Sequence, residues 1–413
     1  MKPPTSAAGS AGECRVVIAP DKFKGSLSSP EVAAALTTGI HRAIPHATVI
    51  TIPVADGGDG TLTAAFAAGY TPIPTPAQGP TGHPRQTTYA RNTCTTTHSP
   101  QSGCGATAVV ELAAVSGLVH LPGGVPAPMT ATTYGTGQLI GAAIDAGCTR
   151  IILGIGGSAS TDGGTGLIHA LTGTQTLDLE KLRRRLRGVE VVVACDVDNP
   201  LTGPNGAAAV YGPQKGASPE QVRELDERLS KWADVVAAAT GRDLRDVPGA
   251  GAAGGVGFAA LALLEAELRS GIELVLEMVG FHEKLAGADL VITGEGALDE
   301  QTLHGKAVAG VAAAVRSTGS ASTANRSTSG EPAGGGSAEC GLVGEVPVVV
   351  VCGVNRLGDR QLKEVGVRAA YALTDLEPDV ERCIAHPRPL LEQLGEQIAV
   401  EHLTMARTEG GSA

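Results

Sequence analysis

The chain alternates short apolar runs with amphipathic stretches, the pattern of β-strands followed by helices. The first apolar run ends at Pro20, and helix-start signals follow at Ser28 and Ser29, with Pro30 in the first turn. Strands that alternate with helices favour an α/β fold built on a mostly parallel sheet. The predicted strands cover residues 15–20, 48–54, 106–112, 150–153, 189–194, 290–293, 346–351 and 369–373. A charged amphipathic helix is predicted at about 219–240, and a further helix at 258–268.

The pattern changes in the middle of the chain and predicts two domains. Between Tyr70 and Arg91 it is rich in Pro and Thr and alternates in polarity, which predicts antiparallel strands. Ser, Thr, Gly and Ala dominate residues 316–345, which predicts a disordered insertion. We therefore predict a Rossmann-like parallel-sheet domain at 14–71 and 287–413, an inserted second α/β domain at 72–286, and a flexible tail at 1–13.

Composition indicates which kinds of molecule the protein binds and where in the cell it is expected. The chain has 413 residues, a net charge of -11 and only 2% aromatic residues, which argues against nucleic acids and anionic membranes as partners. No apolar run of about 20 residues predicts a membrane span. Eight cysteines without a CxxC pair, and an N-terminus without an apolar signal segment, predict a reduced, cytoplasmic protein. Cys94 and Cys104 could pair if oxidised, but we expect them to be thiols. The oligomeric state stays open.

Polar loops follow the first strand and the strand at 290–293. Because open α/β sheets bind ligands at the carboxyl ends of their strands, both loops are candidate sites. Glu295 and Asp299 are suited to a divalent cation, and Lys306 to a phosphate. Lys22 and Lys24, with Ser26 near a helix start, are suited to an anion, although exposed lysines in a turn would give the same pattern.

Three further loops are rich in glycine and polar residues. Carboxylates such as Asp56 and Asp196 suit a cation or a substrate hydroxyl, and backbone N–H groups with hydroxyls suit a phosphate. The alternatives are a hairpin turn for the first loop, a plain glycine-rich turn for the second and an Asx turn for the third. The candidate binding positions are Asp56 and Asp59 in the first loop; Gly156, Gly157, Ser158, Thr161 and Asp162 in the second; and Asp196, Asp198 and Asn199 in the third.

The second of these loops also contains a GxGxxA pattern at Gly154, Gly156 and Ala159. Such a pattern after a strand is typical of dinucleotide binding, with Asp178 as the candidate ribose ligand. However, Asp178 does not follow an apolar strand, which weakens this interpretation. Together the loops offer the backbone donors, lysines and carboxylates that phosphoryl transfer needs. A nicotinamide-dependent oxidoreductase and a non-catalytic sugar-acid-binding protein are the alternatives to such a phosphotransferase.

Five segments resemble the bacterial type I glycerate kinase family and occur in the family's order. They are VIAPDKFKGSLSSPEVAAAL, PVADGGDGT, GIGGSASTDGGTG, ACDVDNPLTGPNGAAAVYGPQKGA and ADLVITGEGALDEQTLHGK. The resemblance spans about residues 16–375 and implies phosphorylation of D-glycerate by ATP with Mg²⁺. It implies 2-phospho-D-glycerate as the product, with 3-phosphoglycerate as the alternative, and a Rossmann-like domain that carries a second α/β domain.

The resemblance also suggests roles for the matched positions. We expect Asp196 to be the base on the substrate hydroxyl, with Asp56 as the second choice and Lys22 as a further catalytic residue. Glu295 and Asp299 are expected to bind Mg²⁺ or ribose. The expected substrate- and phosphate-binding residues are Lys24, Ser26, Asp59, Gly156, Gly157, Ser158, Thr161, Asp162, Asn199, Thr302 and Lys306.

Overall fold

The computed structural model describes residues 14–92, 105–303, 306–324 and 346–404. The strands are β1 (Arg15–Pro20), β2 (Thr48–Thr51), β3 (Thr71–Gln78), β4 (Pro84–Asn92), β5 (Ala106–Glu111), β6 (Cys148–Gly154), β7 (Glu190–Ala194), β8 (Glu267–Arg269), β9 (Leu290–Leu298), β10 (Val348–Asn355) and β11 (Ala369–Ala372). The helices are α1 (Ser29–Ala43), α2 (Thr61–Ala67), α3 (Ala113–Ser116), α4 (Tyr134–Asp145), α5 (Thr165–Thr172), α6 (Leu179–Arg185), α7 (Ala207–Tyr211), α8 (Pro219–Thr240), α9 (Ala252–Leu263), α10 (Gly271–Met278), α11 (Phe281–Lys284), α12 (Glu300–Leu303), α13 (Ala307–Ala324), α14 (Asp359–Glu364), α15 (Val380–Ala385) and α16 (Pro387–Ala399).

The chain divides into two compact units, between Pro53 and Val54 and between Gly280 and Phe281. Lys306 belongs with the second unit. The first boundary therefore lies before the predicted one at residue 71. The physical reason is α2, whose buried Ala65 packs in one apolar cluster with residues of β4, β5 and β6.

The first unit contains a five-stranded sheet in the order β2-β1-β9-β10-β11, in which all neighbours are parallel. This is the 2-1-3-4-5 order of flavodoxin-like sheets, and its strand order reverses between β1 and β9. Val16, Ile18, Leu290 and Val349 are fully buried in the core of this sheet. The predicted parallel-sheet domain is confirmed.

The second unit contains a six-stranded mixed sheet in the order β3-β4-β5-β6-β7-β8. The antiparallel pairing of β3 with β4 confirms the strands predicted between Tyr70 and Arg91. From β5 to β8 all neighbours are parallel. Buried Val110, Leu153 and Val193 lie in its main core. The predicted α/β class therefore holds for both units.

Three predicted segments differ from the structure. β9 continues to Leu298, so Glu295 lies inside a strand and pairs with Cys352, because β10 extends the ladder beyond the apolar run. Residues 258–268 were predicted to be helical, but α9 ends at Leu263 and β8 pairs with β7. Helix α13 continues past Arg316 to Ala324, where the disordered insertion was predicted to have begun already.

The remainder of that insertion, the predicted tail at 1–13, and Cys94 and Cys104 lie outside the described residues. Within the described ranges, none of the helices combines the length and the apolar character needed to cross a membrane.

Candidate active site

In the second unit, the loop at residues 55–60 packs directly on the carboxyl ends of β6 and β7. The Gly156 N–H donates to the Gly57 carbonyl oxygen at 3.4 Å. A Cβ atom on Gly57, whose φ is +83°, would lie 2.5 Å from the Ala194 Cβ atom. Glycine is therefore needed for this close approach. The approach brings Asp56 to the same strand ends as Asp196.

Asp196 follows β7, and its Oδ1 accepts a hydrogen bond from the Gly271 N–H at 3.0 Å. Asp196 is an exposed residue, but the surrounding protein atoms still remove part of the water around its carboxylate. This desolvation raises the pKa of Asp196, and the negative charge of Asp56 raises it further, whereas the Gly271 hydrogen bond works in the opposite direction. A carboxylate of raised pKa at a strand end is suited to accept a proton.

A cavity of about 240 Å³ opens at these strand ends, and all of its lining residues belong to the second unit. It brings together several residues that the sequence predicted separately, in four different loops. Gly156 and Gly157 also line the cavity. The charged and hydroxyl-bearing side chains that line it are Asp56, Ser158, Asp196, Tyr211, Lys215 and Lys306.

Lys215 is a cavity residue that the sequence analysis missed. Its side chain is buried, with the residue only 3% exposed, and its Nζ donates to Ser158 Oγ at 2.9 Å and to the Ser160 carbonyl oxygen. Burial lowers the pKa of Lys215 to about 8, although the charge of Asp162 acts in the opposite direction. The available signal was that Lys215 is the one lysine in the matched segment 194–217.

Asp162 and Asn199 do not line the cavity but hold its surroundings in place. The Asp162 Oδ2 accepts from the N–H and the hydroxyl of Thr133, both at 2.8 Å, while Oδ1 accepts from the Gly164 N–H. Asp162 therefore joins the starts of α4 and α5. Asn199 accepts a 2.6 Å hydrogen bond from the Tyr211 hydroxyl and so orients a lining side chain.

Asp59 and Thr161 also lie outside the cavity lining. Asp59 is exposed, while Thr161 is buried. The hydroxyls of Ser160 and Thr161 are buried, and neither has a hydrogen-bond partner among the described residues. These two hydroxyls are therefore polar groups beside the cavity whose hydrogen-bonding capacity is still open.

In the first unit, Glu295, Asp299 and Thr302 form one hydrogen-bonded cluster. The Thr302 hydroxyl donates to Glu295 Oε1 at 2.5 Å and accepts from the Asp299 N–H at 3.1 Å. Among the described residues, no group of three or more His, Cys, Asp or Glu side chains could hold a metal. Asp299 joins the cluster through its backbone N–H, and its Oδ1 accepts from the Gln301 N–H at 2.9 Å. Because Mg²⁺ binds through as few as one or two carboxylates when waters and phosphates supply the other ligands, the chemistry of Glu295 and Asp299 is compatible with this ion.

The loop that carries Lys22, Lys24 and Ser26 lies against β9, where the strand order of the first sheet reverses. The Asp21 N–H donates to the Gly294 carbonyl oxygen at 2.8 Å. A Cβ atom on Gly296 would lie 3.4 Å from the backbone nitrogen of Lys24. The Ser26 hydroxyl donates to the Ile384 carbonyl oxygen at 3.0 Å and is thus used within the fold. Such a reversal point is a preferred ligand site in open α/β sheets.

The GxGxxA pattern lacks the geometry of a dinucleotide fingerprint. β6 ends at Gly154 and α5 begins only at Thr165, so the long loop 155–164 replaces the tight strand–turn–helix connection. Asp178, the candidate ribose ligand, instead caps α6 by accepting from the Lys181 N–H at 2.9 Å.

Comparison with known proteins identifies the family. The model of the glycerate kinase family matches residues 16–331. A glycerate kinase from Bacillus subtilis (strain 168) is 39% identical over 414 residues, covering 95% of this chain and 99% of the relative. Glycerate 2-kinase from Escherichia coli (strain K12) is 44% identical over 317 residues, covering 72% of this chain and 81% of the relative. The crystal structure of a candidate glycerate kinase 2 from Salmonella typhimurium LT2 has a TM-score of 0.70 and 35% identity, and the match covers 96% of this chain and 100% of that chain. The chain therefore belongs to the glycerate kinase family and is a kinase.

Proposed function

We propose that this kinase transfers the γ-phosphoryl group of ATP, with Mg²⁺, to the 2-hydroxyl of D-glycerate and releases 2-phospho-D-glycerate. The observation that carries the proposal is the cavity in which Asp56 and Asp196 lie with Lys215 and Lys306. Family membership supports glycerate as the acceptor. The description of the Escherichia coli relative as a glycerate 2-kinase supports the 2-hydroxyl.

The lining of the cavity has the groups that a small hydroxy acid requires. Carboxylates accept hydrogen bonds from hydroxyl groups, and lysine ammonium groups bind a carboxylate. A volume of about 240 Å³ is ample for a three-carbon acid. We place D-glycerate here with its reacting hydroxyl towards Asp196.

In the proposed reaction, Asp196 takes the proton of the 2-hydroxyl while the hydroxyl oxygen bonds to the γ-phosphorus of ATP. The bond from the γ-phosphorus to the bridging oxygen breaks, and ADP leaves. The raised pKa of Asp196 makes its carboxylate a stronger base than an ordinary exposed aspartate. Asp56 is suited to hold a second hydroxyl of the acceptor.

The nucleotide requires groups of its own, which we assign to the first unit. Lys22 and Lys24 are proposed to contact phosphate oxygens at the point where the strand order reverses. Glu295 and Asp299 would hold Mg²⁺, which when bound neutralises charge on the phosphates. Thr302 fixes the Glu295 carboxylate through its 2.5 Å hydrogen bond.

Substitution of Asp196→Asn tests the base. We expect turnover to fall about 10²- to 10⁴-fold, the contribution typical of a positioned base. The midpoint of thermal unfolding should be unchanged or higher, because an amide carries no charge to desolvate. The control is Asp198→Asn in the same loop, which is exposed and outside the cavity lining and should keep wild-type turnover. Near-wild-type turnover of Asp196→Asn would exclude Asp196 as the base.

A further inference from the structure

Lys215 combines a charged side chain with nearly complete burial at the wall of the cavity. Its Nζ has three N–H groups, and the described residues supply two acceptors, Ser158 Oγ and the Ser160 carbonyl oxygen. Both acceptors are uncharged. A buried ammonium group is costly unless an anion compensates its charge.

The nearby acid does not provide that compensation directly. Asp162 influences Lys215 through its charge, but its two carboxylate oxygens accept from Thr132, Thr133, Gly164 and Gly166. Within the described residues, no carboxylate forms an ion pair with the Lys215 ammonium group. Lys215 is therefore a nearly buried cation at the cavity wall, and the part of the chain that the structure describes supplies no ion-paired carboxylate for it.

The position of the Lys215 ammonium group in the cavity indicates which anionic group of a ligand it would bind. Lys215 and Ser158 both line the cavity that contains Asp56 and Asp196. Those two aspartates favour the hydroxyl groups of an acceptor and repel its carboxylate. The carboxylate is thus directed to the wall that carries the ammonium group.

We infer that Lys215 binds the carboxylate of the acceptor, so that it selects hydroxy acids over uncharged polyols and orients the reacting hydroxyl towards Asp196. Ser158 holds Nζ in place through its 2.9 Å hydrogen bond. The inference rests on the proposed function for the identity of the acid. Lys215 is thereby a substrate-binding residue and not only a link between Ser158 and Ser160.

Calorimetric titration of the full chain, without nucleotide, tests this role with two ligands. D-glycerate carries the carboxylate, and D-glyceramide replaces it by an uncharged amide. We expect the wild type to bind the acid more tightly than the amide. Lys215→Met should weaken D-glycerate binding about 10- to 100-fold, the value of a charge-assisted hydrogen bond, and should remove the preference for the acid.

The controls separate this role from a structural one. Lys231→Met replaces an exposed lysine on α8 and should bind like the wild type. Lys215→Arg keeps the charge and should retain part of the acid preference. Thermal unfolding verifies that each variant is folded.

Several outcomes would overturn the inference. If Lys215→Met bound D-glycerate with wild-type affinity, the inference would be wrong, whether or not ATP binding were weaker. It would also be wrong if a folded Lys215→Met lost the same amount of affinity for the acid and for the amide. Lys215-dependent binding of D-glycerate by a wild type that forms no phosphorylated product would support the inference but contradict the proposed function.

Discussion

At the residue scale, the charge of Asp56 acts on the neighbouring Asp196. Desolvation is the main reason that the pKa of Asp196 is raised, and the Asp56 carboxylate adds to it. Asp56→Asn removes that charge, so the pKa of Asp196 should fall. In the proposed reaction turnover depends on the ionised form of Asp196, so activity should be lost as the pH drops through the pKa of Asp196. We therefore expect the acid limb of the kcat/KM profile of Asp56→Asn to move to lower pH, measured on its remaining activity. An acid limb that stays in place or moves to higher pH would contradict the proposed coupling.

Lys215 makes a second prediction, on the pH dependence of stability. Its pKa is lowered from 10.5 to about 8 in the folded chain. Between these two values the unfolded chain binds more protons, so the free energy of unfolding gains a contribution that rises with pH. Below about pH 8 both states carry the charge, and this contribution is at its least favourable.

We expect the difference in unfolding free energy, wild type minus Lys215→Met, to increase from about pH 8 towards 10.5. Urea unfolding of both proteins at a series of pH values measures it. A difference that is flat or decreases over this window would show that the lysine is not held in a desolvating environment.

Single residues also show what the sequence could and could not predict. It identified Asp196 and Asp162 alike, as acids in polar, glycine-rich loops. Only the structure shows that the Asp162 oxygens are occupied by the N–H and hydroxyl groups of its own surroundings. The sequence did not show that Lys215 is buried, because its burial results from packing between distant segments and not from local periodicity.

At the element scale, the contact between the 55–60 loop and β7 determines the shape of the cavity. Gly57→Ala would place a Cβ atom 2.5 Å from the Ala194 Cβ atom, at a backbone φ of +83°. We expect the free energy of unfolding to fall by about 2–4 kcal/mol, the sum of left-handed strain and overpacking. Turnover should fall as well, because Asp56 and Asp196 move apart.

Gly188→Ala is the matched control for Gly57→Ala. Gly188 has a φ of +75°, and nothing lies within 4 Å of its added Cβ atom. Only the strain of about 1 kcal/mol should remain, with turnover unchanged. Equal losses of stability in urea for the two variants would show that the contact with Ala194 is not important.

The elements themselves were predictable to different degrees. Helix α8 was predicted at about its observed bounds from its long, charged amphipathic pattern. The structure shows that Ser218 caps this helix and that Pro219 is its first residue. In contrast, β8 has three residues, and they form a strand only because β7 lies beside them. The polar end of β9 is likewise a strand because β10 pairs with it. Pairing with distant segments is not visible in local periodicity.

At the scale of the whole molecule, the alternation of strands and helices correctly predicted an α/β chain of two domains. The position of the first boundary depends on which sheet α2 covers, and the sequence does not contain that information in its periodicity. Because Val54 and the residues after it join the second unit, Asp56 lies with Asp196 and not with the first sheet.

Metal removal separates acceptor binding from the complete reaction. With EDTA in place of Mg²⁺, turnover should be lost, because the phosphates of ATP are no longer neutralised. D-glycerate binding should persist, since Lys215 and the aspartates of the cavity are groups of the protein itself. Calorimetry in EDTA measures this, and loss of D-glycerate binding would place the metal in the acceptor site.

The most direct test of the proposed function is ³¹P NMR of the product formed from ATP, Mg²⁺ and D-glycerate. We expect the signal of 2-phospho-D-glycerate, formed by the wild type and by Asp198→Asn but not at a comparable rate by Asp196→Asn. A 3-phosphoglycerate signal would contradict the proposed orientation of the acceptor. If the folded wild type formed no phosphorylated glycerate, the proposed function itself would be contradicted.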